Sequence, residues 1–252
     1  MGHIARALNA ALARVGLRVD RIERPGIPGG QMPFYRPPES CQITELAALY
    51  HLFLGDRDDG FFVEVGAYDG ISFSNSSCLA DAGWSGLLIE PIPAYAQACR
   101  VRYADNPRVR VIESAVGAES STIDIMVAGA LTTTRQHVLD SYREIAWAKP
   151  SVAEATRLSV TQRTLDDILA EAAPATPIDV LIVDVEGAEA AVFAGFSLER
   201  WRPGMLIVEL VHTHPDLHKV SVSDARIQKE IERHGYSVAY KDCINTVFVR
   251  DR

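Results

Sequence analysis

Short apolar runs alternate with helical stretches from residue 61 onward, and this rhythm constrains the fold more than any other feature of the chain. Strands separated by helices imply right-handed crossovers and a mostly parallel sheet that helices cover on both faces. Two later runs, 236–240 and 244–249, flank Asp242 and Cys243 and predict a closing antiparallel hairpin. We therefore expect an α/β fold built on a seven-stranded, Rossmann-like sheet. The candidate parallel strands are 61–65, 86–90, 109–112, 178–184 and 205–210.

Composition places the chain among ordinary globular proteins. Of its 252 residues, 48% are hydrophobic and 23% are charged, and this length suits one large domain or one domain with a small extension. The formal net charge of −8 argues against nucleic acid as a partner, since phosphate binding needs a concentrated positive surface. The four cysteines form no C-x-x-C motif, and no apolar run reaches the ~20 residues that span a bilayer. Without a signal-peptide pattern either, we expect a cytoplasmic protein with reduced thiols.

The chain divides into an N-terminal extension, residues 1–40, and a domain over residues 41–252. Apolar residues spaced by three or four predict an amphipathic helix over 3–19. Its narrow apolar stripe favours docking against the domain or a homodimer through this helix, with a membrane-surface anchor as the alternative. A linker rich in proline and glycine follows. Residues 128–159 interrupt the strand–helix rhythm, and we expect this insertion to form a cap over the active site.

The strongest local motif is the segment Glu64–Gly70, which follows the first predicted strand. Ligands of open parallel sheets bind at the carboxyl ends of strands, where glycines let the backbone approach them closely. A dinucleotide fingerprint would need a glycine where Tyr68 stands, so a dehydrogenase is disfavoured. A carboxylate at Glu64 would repel a pyrophosphate, but it suits the sulfonium and ammonium groups of S-adenosylmethionine.

Glu90 ends the second predicted strand, 20 residues after Gly70. An acid at this point can accept hydrogen bonds from both ribose hydroxyls of an adenosine. This position fits NAD as well as S-adenosylmethionine, and the preceding loop favours the latter. Ser114 follows the third strand, where the adenine of either cofactor is expected.

Acidic residues and histidines follow the last two parallel strands. Asp184 and Glu186 fall on the same side if the chain stays extended, so Asp184 can face the methyl donor or hold a divalent metal. Glu189 falls in the first turn of a helix, where its charge also favours the helix dipole. Glu209 and His212 end the fifth strand and suit a mixed metal site, or a metal with a histidine base.

Several of these motifs, in order, resemble the FkbM-type methyltransferases over about residues 41–250. The resemblance implies a class I fold that uses S-adenosylmethionine and methylates the hydroxyl of a sugar, polyketide or related compound. Matching segments are 62–70, 74–75, 83–91, 164–169, 178–179, 184–189, 235–236 and 245–248. By position, the resemblance implies that Glu64, Gly66, Asp69, Gly70, Asn75, Glu90, Ser114 and Asp184 surround the cofactor. We add their neighbours Tyr68, Pro91 and Ala115 to the predicted cofactor contacts.

The sequence thus predicts an O-methyltransferase acting on a hydroxyl of a sugar or oligosaccharide. A Mg²⁺-type ion would be held by Asp184 and Glu209, with His212 as a ligand or base. Glu186 is a further catalytic candidate, and His137 in the insertion is the alternative base.

Two other functions stay open. One is a metal-free O-methyltransferase for a polyketide or other natural-product hydroxyl, and the other is a noncatalytic module that binds S-adenosylmethionine. Methylation of nucleic-acid amines is disfavoured, because the chain lacks an N/D-P-P-Y/F motif. For a sugar acceptor, Tyr142 and Trp147 could stack on a ring face, while Arg135 and Arg143 could bind hydroxyls.

Overall fold

The computed structural model describes residues 33–217 and 223–251. The predicted helix 3–19, the homodimer expected through it and most of the proline-rich linker lie outside the described residues. The helices are α1 (Leu46–Leu54), α2 (Ser77–Asp81), α3 (Pro93–Arg102), α4 (Gln136–Glu144), α5 (Lys149–Val152), α6 (Leu165–Ala172), α7 (Glu189–Ala194), α8 (Leu198–Trp201) and α9 (Asp224–Arg233). The strands are β1 (Phe61–Val65), β2 (Ser85–Ile89), β3 (Val109–Ile112), β4 (Ala115–Val116), β5 (Ser121–Val127), β6 (Thr156–Arg163), β7 (Val180–Val183), β8 (Met205–Glu209), β9 (Tyr236–Lys241) and β10 (Asn245–Arg250).

The main sheet has seven strands in the order β3-β2-β1-β7-β8-β10-β9. All neighbours from β3 to β8 pair in parallel, whereas β10 is antiparallel to both β8 and β9. The strand order reverses direction between β1 and β7, so the carboxyl ends of these strands open the crevice where such sheets bind ligands. The predicted class I, Rossmann-like fold with a closing antiparallel hairpin is confirmed.

Alternation along the central strand β1 builds a core on each face of the sheet. Phe61, Val63 and Val65 pack into a buried cluster with side chains of α6, α7 and α9. Phe62 points to the opposite face and joins the cluster that contains side chains of α1 and α2. Burying each large apolar side chain contributes about 1.5–3 kcal/mol, which explains why these runs form the centre of the fold. Glu64 shares the face of Phe62 and is the one charged residue of β1.

A second, smaller sheet lies beside the first, with strands in the order β4-β6-β5. β5 and β6 pair antiparallel from Ser121 opposite Gln162 to Val127 opposite Thr156. The insertion 128–159 therefore contains α4, α5 and the start of β6. The apolar side of α4 is buried with Val211 and Leu217, which follow β8 in the chain. The insertion thus has its own core next to the carboxyl edge of the main sheet.

A local signal fixes the start of α6. Thr164 caps α6, where its side chain accepts a hydrogen bond from the amide of Asp167, as the sequence spacing indicates.

All four cysteines belong to the described part of the chain, and no disulfide joins them. None of the described helices is both long and apolar enough to cross a membrane.

Candidate active site

A cavity opens at the carboxyl edge of the main sheet, where the strand order reverses. Register explains its position, because Val65 of β1 lies opposite both Ile89 of β2 and Val183 of β7. The residues that follow these three strands therefore meet at one point. The cavity encloses about 930 Å³, part of it open to solvent. Nine of the eleven predicted cofactor contacts line it: Glu64, Gly66, Tyr68, Asn75, Glu90, Pro91, Ser114, Ala115 and Asp184.

Glu64 lines the cavity and holds the segment 74–76 in place. Its carboxylate accepts hydrogen bonds from the Ser74 hydroxyl at 3.0 Å, the Ser76 hydroxyl at 2.8 Å and the Asn75 amide at 3.0 Å. Burial raises the pKa of Glu64 to about 7, and these hydrogen bonds oppose the shift. A positive ligand next to Glu64 would favour its ionised form.

Glu90 occupies the corresponding position after β2. One carboxylate oxygen accepts a hydrogen bond from the Tyr68 amide at 2.9 Å, and the other accepts one from the Ile92 amide at 2.8 Å. Each oxygen keeps a second lone pair that a ribose hydroxyl could use. Burial raises the pKa of Glu90 to about 7. Glu90 therefore ties the loop after β1 to the start of α3.

The loop after β1 depends on glycine and on internal hydrogen bonds. Gly66 and Gly70 have positive φ angles, a conformation that glycine adopts without strain. Asp69 accepts hydrogen bonds from the amides of Ile71 at 2.9 Å and Ser72 at 2.7 Å, so its carboxylate closes the turn. Asp69 and Gly70 do not line the cavity; they shape the loop that does. A direct cofactor contact by either residue stays a prediction.

Aromatic and small side chains line the end of the cavity near the third strand. The rings of Tyr68 and Tyr95 meet edge to face, with their centroids 4.6 Å apart. Ser114 is buried, and its hydroxyl donates to its neighbour's carbonyl oxygen at 2.8 Å. This combination of flat, mostly apolar walls suits a purine base.

Three carboxylates gather beside the cavity: Asp184 and Glu186 after β7, and Glu209 at the end of β8. One oxygen from each lies within 4.8 Å of the others, and we call these three residues the acid cluster. Burial raises the pKa of all three carboxyl groups, and mutual repulsion adds to the shift for Glu186 and Glu209. Asp184 and Glu186 line the cavity, whereas Glu209 is not part of the lining. Closely spaced carboxylate oxygens of this kind suit a hard divalent cation.

The insertion contacts the acid cluster through Glu186. The Tyr142 hydroxyl donates to the Glu186 carboxylate, and the Thr133 hydroxyl donates to the Glu186 carbonyl oxygen at 2.7 Å. Burial and the nearby carboxylates raise the pKa of Tyr142 above its ordinary value. Glu189 supports the same turn, since its carboxylate accepts hydrogen bonds from the amides of Val185 and Gly187. Glu189 therefore holds the backbone that presents the cluster.

The structure does not bring His212 to the acid cluster. Its Nε2 lies 3.0 Å from the Lys241 ammonium, which can only donate, so Nδ1 carries the proton of the neutral ring. Nδ1 faces the buried carboxylate of Asp224 at 3.8 Å. Burial and the Lys241 charge lower the pKa of His212. The roles of His212 as a metal ligand or base stay predictions.

The predicted residues of the insertion separate into buried and exposed groups. Tyr142 is buried, and its hydroxyl is engaged, so its ring is not open to a sugar. His137 is exposed on α4 and is not part of the cavity lining, and Arg143 pairs with Asp140 at 2.8 Å. Trp147 is 52% exposed and is the open aromatic surface of the insertion.

Sequence reasoning missed several residues of the cavity wall. Gln42, Phe73, Tyr95, Gly129, Thr132 and Thr134 line the cavity together with the predicted residues. The run of threonines in the insertion was the available signal, because it lies in a loop between a strand and a helix and binding residues are concentrated on loops. The others come from segments with no local pattern that points to the sheet edge.

One family model and several solved structures are similar to this chain. A family model described as the Methyltransferase FkbM domain matches residues 64–238. No curated protein matches the sequence. One similar solved structure is the O-methyltransferase TomG from Streptomyces achromogenes, which is involved in tomaymycin synthesis and was solved with S-adenosylmethionine. It is 18% identical to this chain, the match covers 81% of this chain and 78% of that chain, and the TM-score is 0.44. Precorrin-6y C5,15-methyltransferase from Geobacter metallireducens is 13% identical (88% and 100% covered, TM-score 0.42), and the METTL16 methyltransferase domain is 14% identical (98% and 79% covered, TM-score 0.47).

Proposed function

The chain belongs to the family of FkbM-domain methyltransferases, and on that premise we propose that it methylates a hydroxyl oxygen of a sugar or oligosaccharide with the help of a divalent cation. The observation that carries this proposal is the acid cluster. Three carboxylates converge within 4.8 Å, and two of them, Asp184 and Glu186, line the same cavity as Glu64 and Glu90. Such a concentration of buried negative charge is costly unless it binds a cation or takes up protons.

The methyl donor, S-adenosylmethionine, is assigned to the side of the cavity near β1 and β2. Glu90 accepts the ribose hydroxyls, and the aromatic walls around Tyr68 and Tyr95 receive the adenine. Glu64 supplies negative charge beside the sulfonium. In this arrangement the methyl group faces Asp184, which follows the neighbouring strand β7 in register with β1.

The acceptor is assigned to the side of the cavity formed by the insertion and the acid cluster. An alcohol has a pKa far above 7, so its proton must leave as the oxygen attacks. The oxygen forms a bond to the methyl carbon while the carbon–sulfur bond breaks, and S-adenosylhomocysteine departs with the electron pair. We assign the proton to a carboxylate of the acid cluster.

The acid cluster also fits a divalent cation. Its three donors are carboxylate oxygens, which are the ligands that Mg²⁺ and Mn²⁺ prefer. Asp184, Glu186 and Glu209 would hold the ion, which when bound acts as a Lewis acid that lowers the pKa of a hydroxyl. The chain's own residues orient both substrates, so that the methyl carbon and the acceptor oxygen meet at a productive distance.

Hydroxyl groups on the acceptor side favour a sugar. Thr132 and Thr134 line the cavity, and the exposed face of Trp147 on the same insertion offers a stacking surface.

A second candidate acceptor, a polyketide or similar alcohol, has one observation in its favour. Phe73 lines the cavity and is 43% exposed, which suits a less polar acceptor, such as a polyketide.

Transfer of an isotopically labelled methyl group tests the proposal. The full chain is incubated with labelled donor and with panels of sugars and of polyketide alcohols, and mass spectrometry locates the label. We expect label on a sugar oxygen, and loss of transfer in excess chelator that Mg²⁺ or Mn²⁺ restores. Full activity in chelator would remove the metal from the proposal. Binding of S-adenosylhomocysteine without transfer to any acceptor would favour a noncatalytic module.

A further inference from the structure

Two buried side chains of the insertion hold a single residue of the acid cluster. Thr133 and Tyr142 are 0% and 2% exposed, and their hydroxyls donate to the carbonyl oxygen and the carboxylate of Glu186, respectively. These residues are far from Glu186 in the sequence, so the contacts depend on the folded insertion. Glu186 therefore has its main chain and its side chain fixed by the same segment.

The backbone of Glu186 indicates why it needs this support. Its φ angle is +52°, in the left-handed region that residues with a side chain rarely adopt. Such a conformation persists only where surrounding contacts stabilise it, and it is concentrated at functional sites. The following residue, Gly187, also has a positive φ of 89°. The turn thus directs a carboxylate into the cluster at the expense of backbone strain.

The partner of Tyr142 differs from those of other buried tyrosines. Tyr50, Tyr103 and Tyr236 each donate to a main-chain carbonyl oxygen, which is the usual way to satisfy a buried phenol. Tyr142 instead donates to a carboxylate, and it does so from a well-packed position among Val138, Leu139 and neighbouring apolar side chains. Its phenol is therefore a rigid donor directed at the acid cluster.

We propose that Tyr142 is a positioning residue, which binds one carboxylate oxygen of Glu186 and leaves the other oxygen for the cation or the acceptor proton. This inference rests on the proposed function. It makes the insertion a structural part of the active centre as well as a cover. A group that orients a metal ligand or catalytic acid typically affects metal affinity or turnover by about 10–100-fold when it is removed.

The test uses Tyr142→Phe, which removes only the hydroxyl, and Tyr236→Phe as the matched control. Tyr236 is a buried tyrosine at the opposite edge of the sheet, where it donates to the carbonyl oxygen of Pro203. Mn²⁺ affinity, S-adenosylhomocysteine affinity, kcat and the acceptor KM are measured for each. For Tyr142→Phe we expect Mn²⁺ affinity and kcat about tenfold lower or more, with S-adenosylhomocysteine affinity and acceptor KM within about twofold of wild type.

The outcomes separate this inference from the proposed function. Mn²⁺ affinity and kcat that match the Tyr236→Phe control overturn the inference alone. Wild-type protein that neither binds Mn²⁺ nor methylates a hydroxyl overturns both. If Tyr142→Phe does not fold, Tyr142→Met, which also removes the hydroxyl and whose flexible side chain can fill an apolar site, is measured in its place. We expect the same direction of change, and unchanged Mn²⁺ affinity and kcat would again overturn the inference.

Discussion

Gly66 lies against the backbone of Asp184 so closely that a Cβ atom on Gly66 would stand 1.8 Å from the Asp184 carbonyl oxygen. The two residues follow the neighbouring strands β1 and β7, and the Asp184 amide donates to the carbonyl oxygen of Val65 at 3.1 Å. The loop assigned to the methyl donor and the turn that carries the acid cluster therefore pack directly against each other.

Substitution of Gly66 by alanine tests this close approach. We expect Gly66→Ala to destabilise the fold by more than about 3 kcal/mol, or to weaken S-adenosylhomocysteine binding at least tenfold, because the methyl group has no space. Gly235→Ala is the matched control. Gly235 also has a positive φ but no atom within 4 Å of an added Cβ, so only the backbone cost of about 1–2 kcal/mol is expected. Urea unfolding measures the free energy of unfolding, and calorimetry measures the affinity for S-adenosylhomocysteine. Equal losses for Gly66→Ala and Gly235→Ala in both measurements would contradict the close approach of Gly66 to Asp184.

The buried carboxyl of Glu90 predicts a pH-dependent effect on stability. Its pKa is raised from the ordinary value of 4.5 to about 7, so the folded state binds this proton more tightly than the unfolded state. Its ionisation therefore lowers the free energy of unfolding as the pH rises through this range. Glu90→Gln removes that loss. Relative to wild type, we expect the free energy of unfolding of Glu90→Gln to rise by about 1–3 kcal/mol between about pH 5 and pH 8.

Urea titrations at several pH values measure this difference. The exposed residue Glu119 provides the control substitution Glu119→Gln, which reports the effect of the amide itself. A difference between Glu90→Gln and wild type that stays constant or falls with pH would show that Glu90 is not desolvated in the fold.

Neutralising one member of the acid cluster should raise the free energy of unfolding and lower the rate of methyl transfer. Asp184→Asn removes one of three mutually repelling carboxylates, so we expect the ligand-free protein to gain about 1 kcal/mol in free energy of unfolding near pH 8. Methyl transfer should fall by about 100-fold or more, since a buried acid and cation ligand is lost. Asp105→Asn, on an exposed residue, is the control. Methyl transfer by Asp184→Asn at the wild-type rate in kinetic assays would exclude Asp184 from the chemistry.

The acid cluster and His212 are alternative sites for the acceptor proton, and one variant distinguishes them. Because Lys241 faces Nε2 and Asp224 faces Nδ1, we expect His212→Ala to keep kcat within about threefold of wild type. A general base contributes about 10²–10⁴-fold. A loss of that size, with S-adenosylhomocysteine affinity unchanged, would restore His212 as the base.

The side of the cavity that we assign to the methyl donor could be predicted, because its residues terminate apolar runs. Glu64, Glu90 and Asp184 each stand at or just after such a run, and the carboxyl ends of parallel strands meet at one edge of the sheet. The apolar run predicts the strand, so the residue that ends the run is predicted to lie at the carboxyl end of that strand.

The acceptor side could not be predicted in this way. The bond between Tyr142 and Glu186 joins the insertion to a turn 44 residues away, and no local pattern encodes it. β6 is mostly polar and obtains its stability from pairing with β5, so its sequence lacks the apolar run of a buried strand. His212 was expected at the sheet edge from its position after β8, but Asp224 and Lys241, from α9 and β9, engage it instead.

A crystal structure of the full chain with S-adenosylhomocysteine and Mn²⁺ would show where the donor and the cation bind. We expect ribose hydroxyls within hydrogen-bonding distance of Glu90, a sulfur atom directed toward Asp184, and Mn²⁺ bound by the acid cluster. An empty cavity in the presence of saturating ligand, or a sulfur atom directed away from Asp184 with no ion at the cluster, would contradict this expectation.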